Sequence, residues 1–375
     1  MPKLDLSNGV RAHYLISADS GQARTMAEAI ALEQSLETAA ELIPPEVAEQ
    51  LLGRVCSVTP LTERRWQVLI DYPMALASGQ IGQLLQLLYG NISFYPDVRL
   101  IDLHLPAAML EHLPGPAHGV AGLREACGVS DRSLLMTVLK PRGAPAEQLA
   151  EQAAAFVRGG GDLIKDDQNV VESDLMAFTH RVSRCAEAID AAVQQRGRGA
   201  VYFPHVAGSG AHLEAQLEQV KALGLKGVVL CPWIMGLETA AEAARRHELM
   251  WLAHPAGAGC WTESPRRGVA ASVLLGQLTR LAGADISAFP GQGGRVSLAN
   301  EGDQRAICQA LLKPWGELKA TLPCSGGGKR PEQAVEFSQA VGQDCAVMVG
   351  SALMMDDRGI ERATAETVAA LNGTQ

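Results

Sequence analysis

Gly159-Gly160-Gly161-Asp162-Leu163-Ile164-Lys165-Asp166-Asp167-Gln168 is the stretch that decides how this chain is read. It has the form of a short buried strand running into a crowded polar end. Successive side chains of a strand point to opposite faces, so Lys165 and Asp167 share one face and Asp166 takes the other. A lysine and a carboxylate converging at the C-terminal end of a parallel strand suit the holding of a hard cation or an anionic intermediate. The plainer alternative is a Lys–Asp ion pair that serves only the fold.

Outward from this stretch, short apolar runs alternate with alanine- and leucine-rich amphipathic segments such as Ala146–Val157 and Ser173–Gln194. The candidate strands are Leu134–Lys140, Asp162–Lys165, Ala200–Pro204, Gly227–Cys231, Met250–His254, Asp285–Phe289, Lys319–Cys324 and Ala346–Gly350. This repeat predicts a C-terminal (β/α)8 TIM barrel over residues 116–375. A doubly wound open sheet is the runner-up, weakened because no G-x-G-x-x-G follows the first strand. Residues 1–115 read as strand Val10–Ile16, helix Thr25–Glu37, strands Arg54–Val58 and Trp66–Asp71, helix Gly79–Leu88 and strand Val98–Leu105. That order is a ferredoxin-like α+β domain, with Leu113–Gly119 as the boundary.

Composition agrees with a packed α/β protein. The chain is 47% hydrophobic with 38 glycines, which suits many tight strand–helix turns. A net charge of −9 without a basic cluster argues against nucleic acid as a partner. Met1–Ser7 lacks an apolar signal core and no run reaches membrane-spanning length, so no membrane partner is expected. The eight cysteines are scattered singly, without C-x-x-C or zinc spacing, and the expected home is a reducing cytoplasm.

A barrel collects its chemistry at the C-terminal strand ends. In order these carry Lys140, Lys165 with Asp167, His205, Cys231 and His254, followed by glycine-rich loops after strands six, seven and eight. Lys140 and Arg142 flank Pro141 and can stabilise or protonate an enolate oxygen, or stand as solvated basic residues. Lys165 and Asp167 suit magnesium, which takes oxygen ligands and keeps several waters. A cationic lysine cannot ligate, but its neutral amine can take up carbon dioxide and present carbamate oxygens; burial favours that neutral form. His205 and His254 are either structural imidazoles or, for His254, a proton-transfer group. Ser325-Gly326-Gly327 and Gly350-Ser351 lie where this fold cradles phosphate. Pro290–Arg295 is a lid, a second anion loop or a plain loop.

Together these residues resemble the large subunit of ribulose-bisphosphate carboxylase, and more closely the RuBisCO-like proteins (form IV), over nearly the whole chain. The matches are Thr137–Gly143, Gly161–Asp167, Leu252–Ala256 and Ser325–Gly327. The resemblance implies a carbamylated Lys165, magnesium on Lys165, Asp167 and Gln168, and Lys140 as acid/base, with Arg142 and His254 in the catalytic site. It implies phosphate or substrate held by Ser325, Gly326, Gly327, Gly350, Ser351 and His205. It also implies a homodimer or dimer-based oligomer, with Glu33, Thr38 and Asn91 supplied by the partner.

Four positions depart from the family. Gln168 stands for a glutamate ligand, and Pro255 for the arginine that grips a second phosphate. Pro290–Leu298 has no lid lysine, and Ser287–Phe289 lacks a histidine. Carboxylation of ribulose bisphosphate is therefore not expected. The expected activity is magnesium-dependent enolate chemistry on a mono-phosphorylated keto-sugar or keto-sugar-acid, leaning to decarboxylation of the 3-oxo-isoapionate 4-phosphate type. The alternatives are an isomerase or enolase of methylthio-pentulose phosphates in methionine salvage, and a non-catalytic phosphometabolite sensor.

Overall fold

The computed structural model describes residues 9–373 except 78, 173, 293 and 299–301. The readings placed on Met1–Ser7, on Ser173 as a helix start and on Gly293 lie outside the described residues.

The N-terminal half follows the expected order: β1 (Gly9–Ser17), helix Ala23–Ser35, β2 (Arg54–Pro60), β3 (Arg65–Pro73), helix Ile81–Tyr89 and β4 (Val98–His104). In β1, Val10, Ala12, Tyr14 and Ile16 are buried while Arg11, His13, Leu15 and Ser17 are half-buried. This period of two turns one face of the sheet to the helices. The sheet carries one strand that periodicity does not reveal. β10 (Gly268–Val269), from the second half of the chain, pairs in parallel with β4, giving the order β10-β4-β1-β3-β2. Arg99 of β4, buried, donates to the carbonyls of Thr262 and Arg267, both at 3.1 Å, and of Ser264, so the two halves share a sheet edge and a cation.

The barrel consists of β5 (Leu134–Leu139), β6 (Leu163–Asp166), β7 (Val201–Phe203), β8 (Gly227–Leu230), β9 (Met250–Ala253), β11 (Ile286–Pro290), β12 (Leu322–Gly326) and β13 (Ala346–Met348). All neighbours pair in parallel. The circle closes between β7 and β8 through a bridge from His205 to Val229, with Val229 N–H donating to Pro204 O at 2.8 Å. Its interior is an apolar plug of Leu134, Met136, Leu163, Val201, Phe203, Val229, Leu252, Ile286, Leu322 and Ala346. The opposite strand faces, including Leu135, Leu139 and Ile164, pack against the surrounding helices.

The seventh strand needs a correction. It was expected at Lys319–Cys324 and lies at Leu322–Gly326, because pairing with β11 runs on through Phe289↔Ser325 and Pro290↔Gly326. Ser325 and Gly326 are therefore strand residues, and the loop starts at Gly327. Lys319 lies outside the barrel and donates to Ala117 O. Among the described residues no helix is long and apolar enough to cross a membrane, and all eight cysteines are free.

Candidate functional site at the barrel mouth

The apolar plug fixes where polar residues must go. Two residues above Leu163, Val229 and Leu252, on the same strand face, stand Lys165, Cys231 and His254; Lys140 stands two above Val138. The barrel thus ends in a polar layer resting on hydrocarbon.

Lys165 is 1% exposed. Its Nζ donates to the Asp166 carbonyl at 2.6 Å, and no ion pair joins it to Asp167 or to any other carboxylate among the described residues. The Lys–Asp salt bridge that was the plain alternative is absent. Burial pushes the Lys165 pKa below the usual lysine range, against the pull of Asp167 and Asp166. Asp167 is half-buried and its Oδ1 accepts Asn169 N–H at 2.9 Å; Gln168 is half-buried beside it.

Asp166 occupies the other strand face, as alternation requires, and anchors the strand end. Its carboxylate accepts Arg181 Nη1 at 2.6 Å, Tyr202 OH at 2.8 Å and His205 N–H at 2.9 Å, all buried. Arg181, on helix Leu175–Arg196, is held in turn by Glu172 at 2.6 and 3.1 Å. Sequence reading missed this network. A buried carboxylate demands a cation, but nothing local in the sequence names Arg181 as the partner.

His254 tops β9, and Ala256 N–H donates to its Nδ1 at 3.2 Å. Nδ1 is then the acceptor of a neutral ring and the proton sits on Nε2. Among the described residues Nε2 has no hydrogen-bond partner. Burial, and then the charge of Lys165, drive the His254 pKa well below the imidazole range. His205 is 5% exposed, with Nδ1 buried and unpartnered and Nε2 3.6 Å from Cys231 Sγ. Burial lowers its pKa too and pushes the Cys231 thiol up to about 11.

These two neutral histidines, His205 buried and His254 half-buried, give a pH signature. A histidine with a lowered folded pKa binds its proton first in the unfolded chain, so stability is intact above about pH 6.5 and falls as pH drops below it. His254 and His205 should each add a slope of up to about 1.4 kcal/mol per pH unit. Urea midpoints at pH 7.5 and 5.5 measure this; the difference should shrink in His254→Gln.

Lys140 is half-buried and its Nζ would lie 3.4 Å from a methyl group placed on Gly350. The structure thus brings the first strand end to the loop after the eighth. Ser351 is exposed at the start of the short helix Ser351–Met354. Arg142 is exposed and forms no ion pair among the described residues.

The third expected cluster is covered by the loop that follows β11. Gly291 N–H donates to Gly326 O at 2.9 Å, and Val296 N–H to Gly327 O at 3.1 Å. The buried Lys329 donates to Gln292 O. The approach is close enough to require glycine: a Cβ on Gly291 would meet Ser325 Oγ at 2.0 Å. Gly327, with φ +97°, lies in the left-handed region. Ser325 Oγ is buried and donates to Gln304 Oε1 at 3.3 Å.

Glu33, Thr38 and Asn91 lie apart from this layer. Asn91 Nδ2 donates to Glu33 Oε1 at 2.9 Å and to Glu37 Oε1 at 2.8 Å, and Thr38 is exposed. Glu33 and Asn91 line a cleft of 760 Å³ with Gln34, Gln86 and Trp261, and none of Lys140, Lys165, His254 or the glycine loops lines it.

Two family models match the chain: the ribulose bisphosphate carboxylase large chain N-terminal domain over residues 7–109 and its catalytic domain over residues 119–367. Ribulose bisphosphate carboxylase-like protein 1 of Rhodopseudomonas palustris is 36% identical over 94% of each chain. The 5-methylthioribulose-1-phosphate isomerase of Rhodospirillum rubrum is 33% identical, covering 98% of this chain and 97% of its own. The 2,3-diketo-5-methylthiopentyl-1-phosphate enolase of Geobacillus thermodenitrificans is 32% identical, covering 92% and 87%. Among solved structures, a Rubisco-like protein from Rhodopseudomonas palustris superposes with a TM-score of 0.85 at 32% identity over 97% of each chain. With both domain models matched in order and relatives spanning its length, the chain belongs to the ribulose bisphosphate carboxylase large-chain family, as one of its RuBisCO-like proteins.

Proposed function

We propose that this protein enolises a mono-phosphorylated five-carbon ketose with an uncharged far end, of the 5-methylthioribulose 1-phosphate kind, shifting its carbonyl by proton transfer. Relatives named as an isomerase and an enolase of such compounds support this reading. The decarboxylation towards which the sequence leaned draws no support from them. Pro255, where the family pattern has a phosphate-gripping arginine, fits a substrate with one phosphate.

The observation that carries the proposal is the state of His254. A neutral imidazole whose Nε2–H has no hydrogen-bond partner among the described residues is free to donate one; in this tautomer that nitrogen does not accept a proton. His254 then stabilises negative charge on the carbonyl oxygen. The proton from the neighbouring carbon goes to another group, a role we assign to Lys140, against Gly350, acting as the neutral amine and becoming its ammonium. Gly327, Gly350 and Ser351 hold the phosphate, with Val296 bonded to the Gly327 carbonyl.

The residues suit magnesium on one condition. Asp167 offers one carboxylate and Gln168 an amide oxygen; the further anionic oxygen comes from carbon dioxide added to the Lys165 amine, with loss of its proton. Magnesium needs few protein ligands, so Lys165, Asp167 and Gln168 would hold it, and when bound it would supply Lewis-acid stabilisation of the developing oxyanion.

The test is NMR in deuterated water with 5-methylthioribulose 1-phosphate and, separately, a 3-oxo sugar-acid phosphate. Deuterium should enter the carbon beside the carbonyl of the ketose, without carbon dioxide release. His254→Gln should lower this rate by roughly 10²-fold. Carbon dioxide from the 3-oxo acid alone would replace the proposal with decarboxylation, and binding without turnover of either would leave a sensor.

The same reading assigns Glu33, Thr38 and Asn91 to the site of a second copy, since Glu33 and Asn91 line a different cleft in their own chain. Mixed Glu33→Ala and Lys165→Ala chains, each inactive alone, should regain activity on co-folding. Failure to do so would make the site complete within one chain.

A further inference from the structure

A second constellation lies in the N-terminal sheet, on the face opposite Val10, Ala12, Tyr14 and Ile16. β1 and β4 pair antiparallel with His13 opposite Asp102, and a register shift follows at His13/Tyr14. Asp102 and His104 are two residues apart and point to the same face. One ligand atom each from His13, Asp102 and His104 lies within 4.8 Å of the others. His104 Nε2 is 3.3 Å from Asp102 Oδ2, and the rings of His13 and His104 are 5.0 Å apart, tilted by 43°.

Two buried atoms beside this cluster lack partners. His13 Nε2 has none, although most buried ring nitrogens are hydrogen-bonded. Gln277 is 2% exposed and comes from the π-helical turn Ser272–Leu278; its Nε2 donates to Asp102 Oδ1 at 2.8 Å while its Oε1 is also unpartnered. Leu103 N–H donates to the same Oδ1 at 2.9 Å. Oδ1 is thus fixed by two donors and Oδ2 is left facing the imidazoles. The neighbouring cation does not compete, because Arg11 is paired with Asp71 through Nε and Nη2, both at 2.6 Å.

We propose that His13, Asp102 and His104 form a binding site for a zinc-class divalent metal ion, with Gln277 holding the carboxylate from behind. Ligands at about 2.0–2.2 Å in a tetrahedron stand roughly 3.4 Å apart, the separation His104 and Asp102 already have. Two imidazoles and one carboxylate select zinc, cobalt or nickel over magnesium or calcium, which take oxygen sets. His104 is exposed, so an ion can enter and a solvent molecule can complete the shell. Such an ion clips β1 to β4 and, through Gln277, braces the N-terminal sheet against the barrel half. It is independent of the enolisation site.

The test uses the full-length protein stripped of metal, titrated by calorimetry with Zn2+ and followed by absorption with Co2+, beside His104→Ala, His13→Ala and Lys165→Ala. One equivalent per chain should bind in the wild type and in Lys165→Ala. Affinity should drop at least about tenfold in either histidine variant. Zinc should raise the Tm of the wild type and not that of His104→Ala, whose exposed position leaves folding intact. The Co2+ spectrum should show ligand-field bands without thiolate charge transfer. Equal affinity in His104→Ala, a thiolate band, or no uptake at micromolar Zn2+ by the wild type would each overturn the site.

Discussion

Lys165→Met is expected to lower kcat by about 10³-fold or more and, at the same time, to raise the stability of the chain. The two effects have one cause. The amine is 1% exposed, bonded to a single backbone carbonyl and free of any ion pair among the described residues. Burial lowers its pKa, so the folded chain binds this proton less readily than the unfolded one. That penalty applies at neutral pH and fades as pH rises towards the lysine range. Methionine fills nearly the same volume without it. A lysine kept for structure behaves in the opposite way: its loss would lower stability and leave turnover largely intact. Urea midpoints and steady-state rates on the two proteins separate the cases.

Asp166→Ala is expected to cost about 3–5 kcal/mol of folding free energy, a large part of the 5–15 kcal/mol typical of a domain. The substitution leaves Arg181 with Glu172 and the Tyr202 hydroxyl oxygen at 3.1 Å but without its buried carboxylate, and leaves Tyr202 OH and His205 N–H without their acceptor, inside the wall of the barrel. The Arg181 and Asp166 side chains are 5% and 0% exposed, so water does not replace the lost bonds. Adding Arg181→Leu should recover part of the loss by removing the stranded cation. A cost below about 1 kcal/mol would mean that the network is wetter than its burial indicates. Because Lys165 Nζ bonds the Asp166 carbonyl, the variant should also lose activity through displacement of the lysine.

Periodicity made the barrel legible, since Leu163 and Lys165 share a face that the plug then fills, while Asp166 turns outward. The same logic located Lys140 and His254 at the mouth. It failed where pairing depends on distant segments. β12 was placed too early because the run from Lys319 is apolar enough to pass for a strand, and only the register with Phe289 and Pro290 shows that Ser325 belongs to the sheet. β10 has two residues and no pattern. Arg181 for Asp166 and Arg132 for Asp162, the latter at 2.6 and 2.9 Å, are partners chosen by packing across 15 and 30 residues. The nearness of His13 to His104 rests on a strand register that single-sequence reading does not supply. Tautomers were equally out of reach: that His254 donates follows only from the position of Ala256 N–H.

The claim on which the enolising site rests is that Lys165 takes up carbon dioxide and becomes an oxygen donor beside Asp167. ¹³C NMR of the protein equilibrated with ¹³C-bicarbonate and magnesium tests it directly. One carbamate resonance per chain should appear in the wild type, sharpen or shift with magnesium and be missing in Lys165→Met. A spectrum without that resonance, from a protein that still turns over the ketose phosphate at full rate, would contradict it.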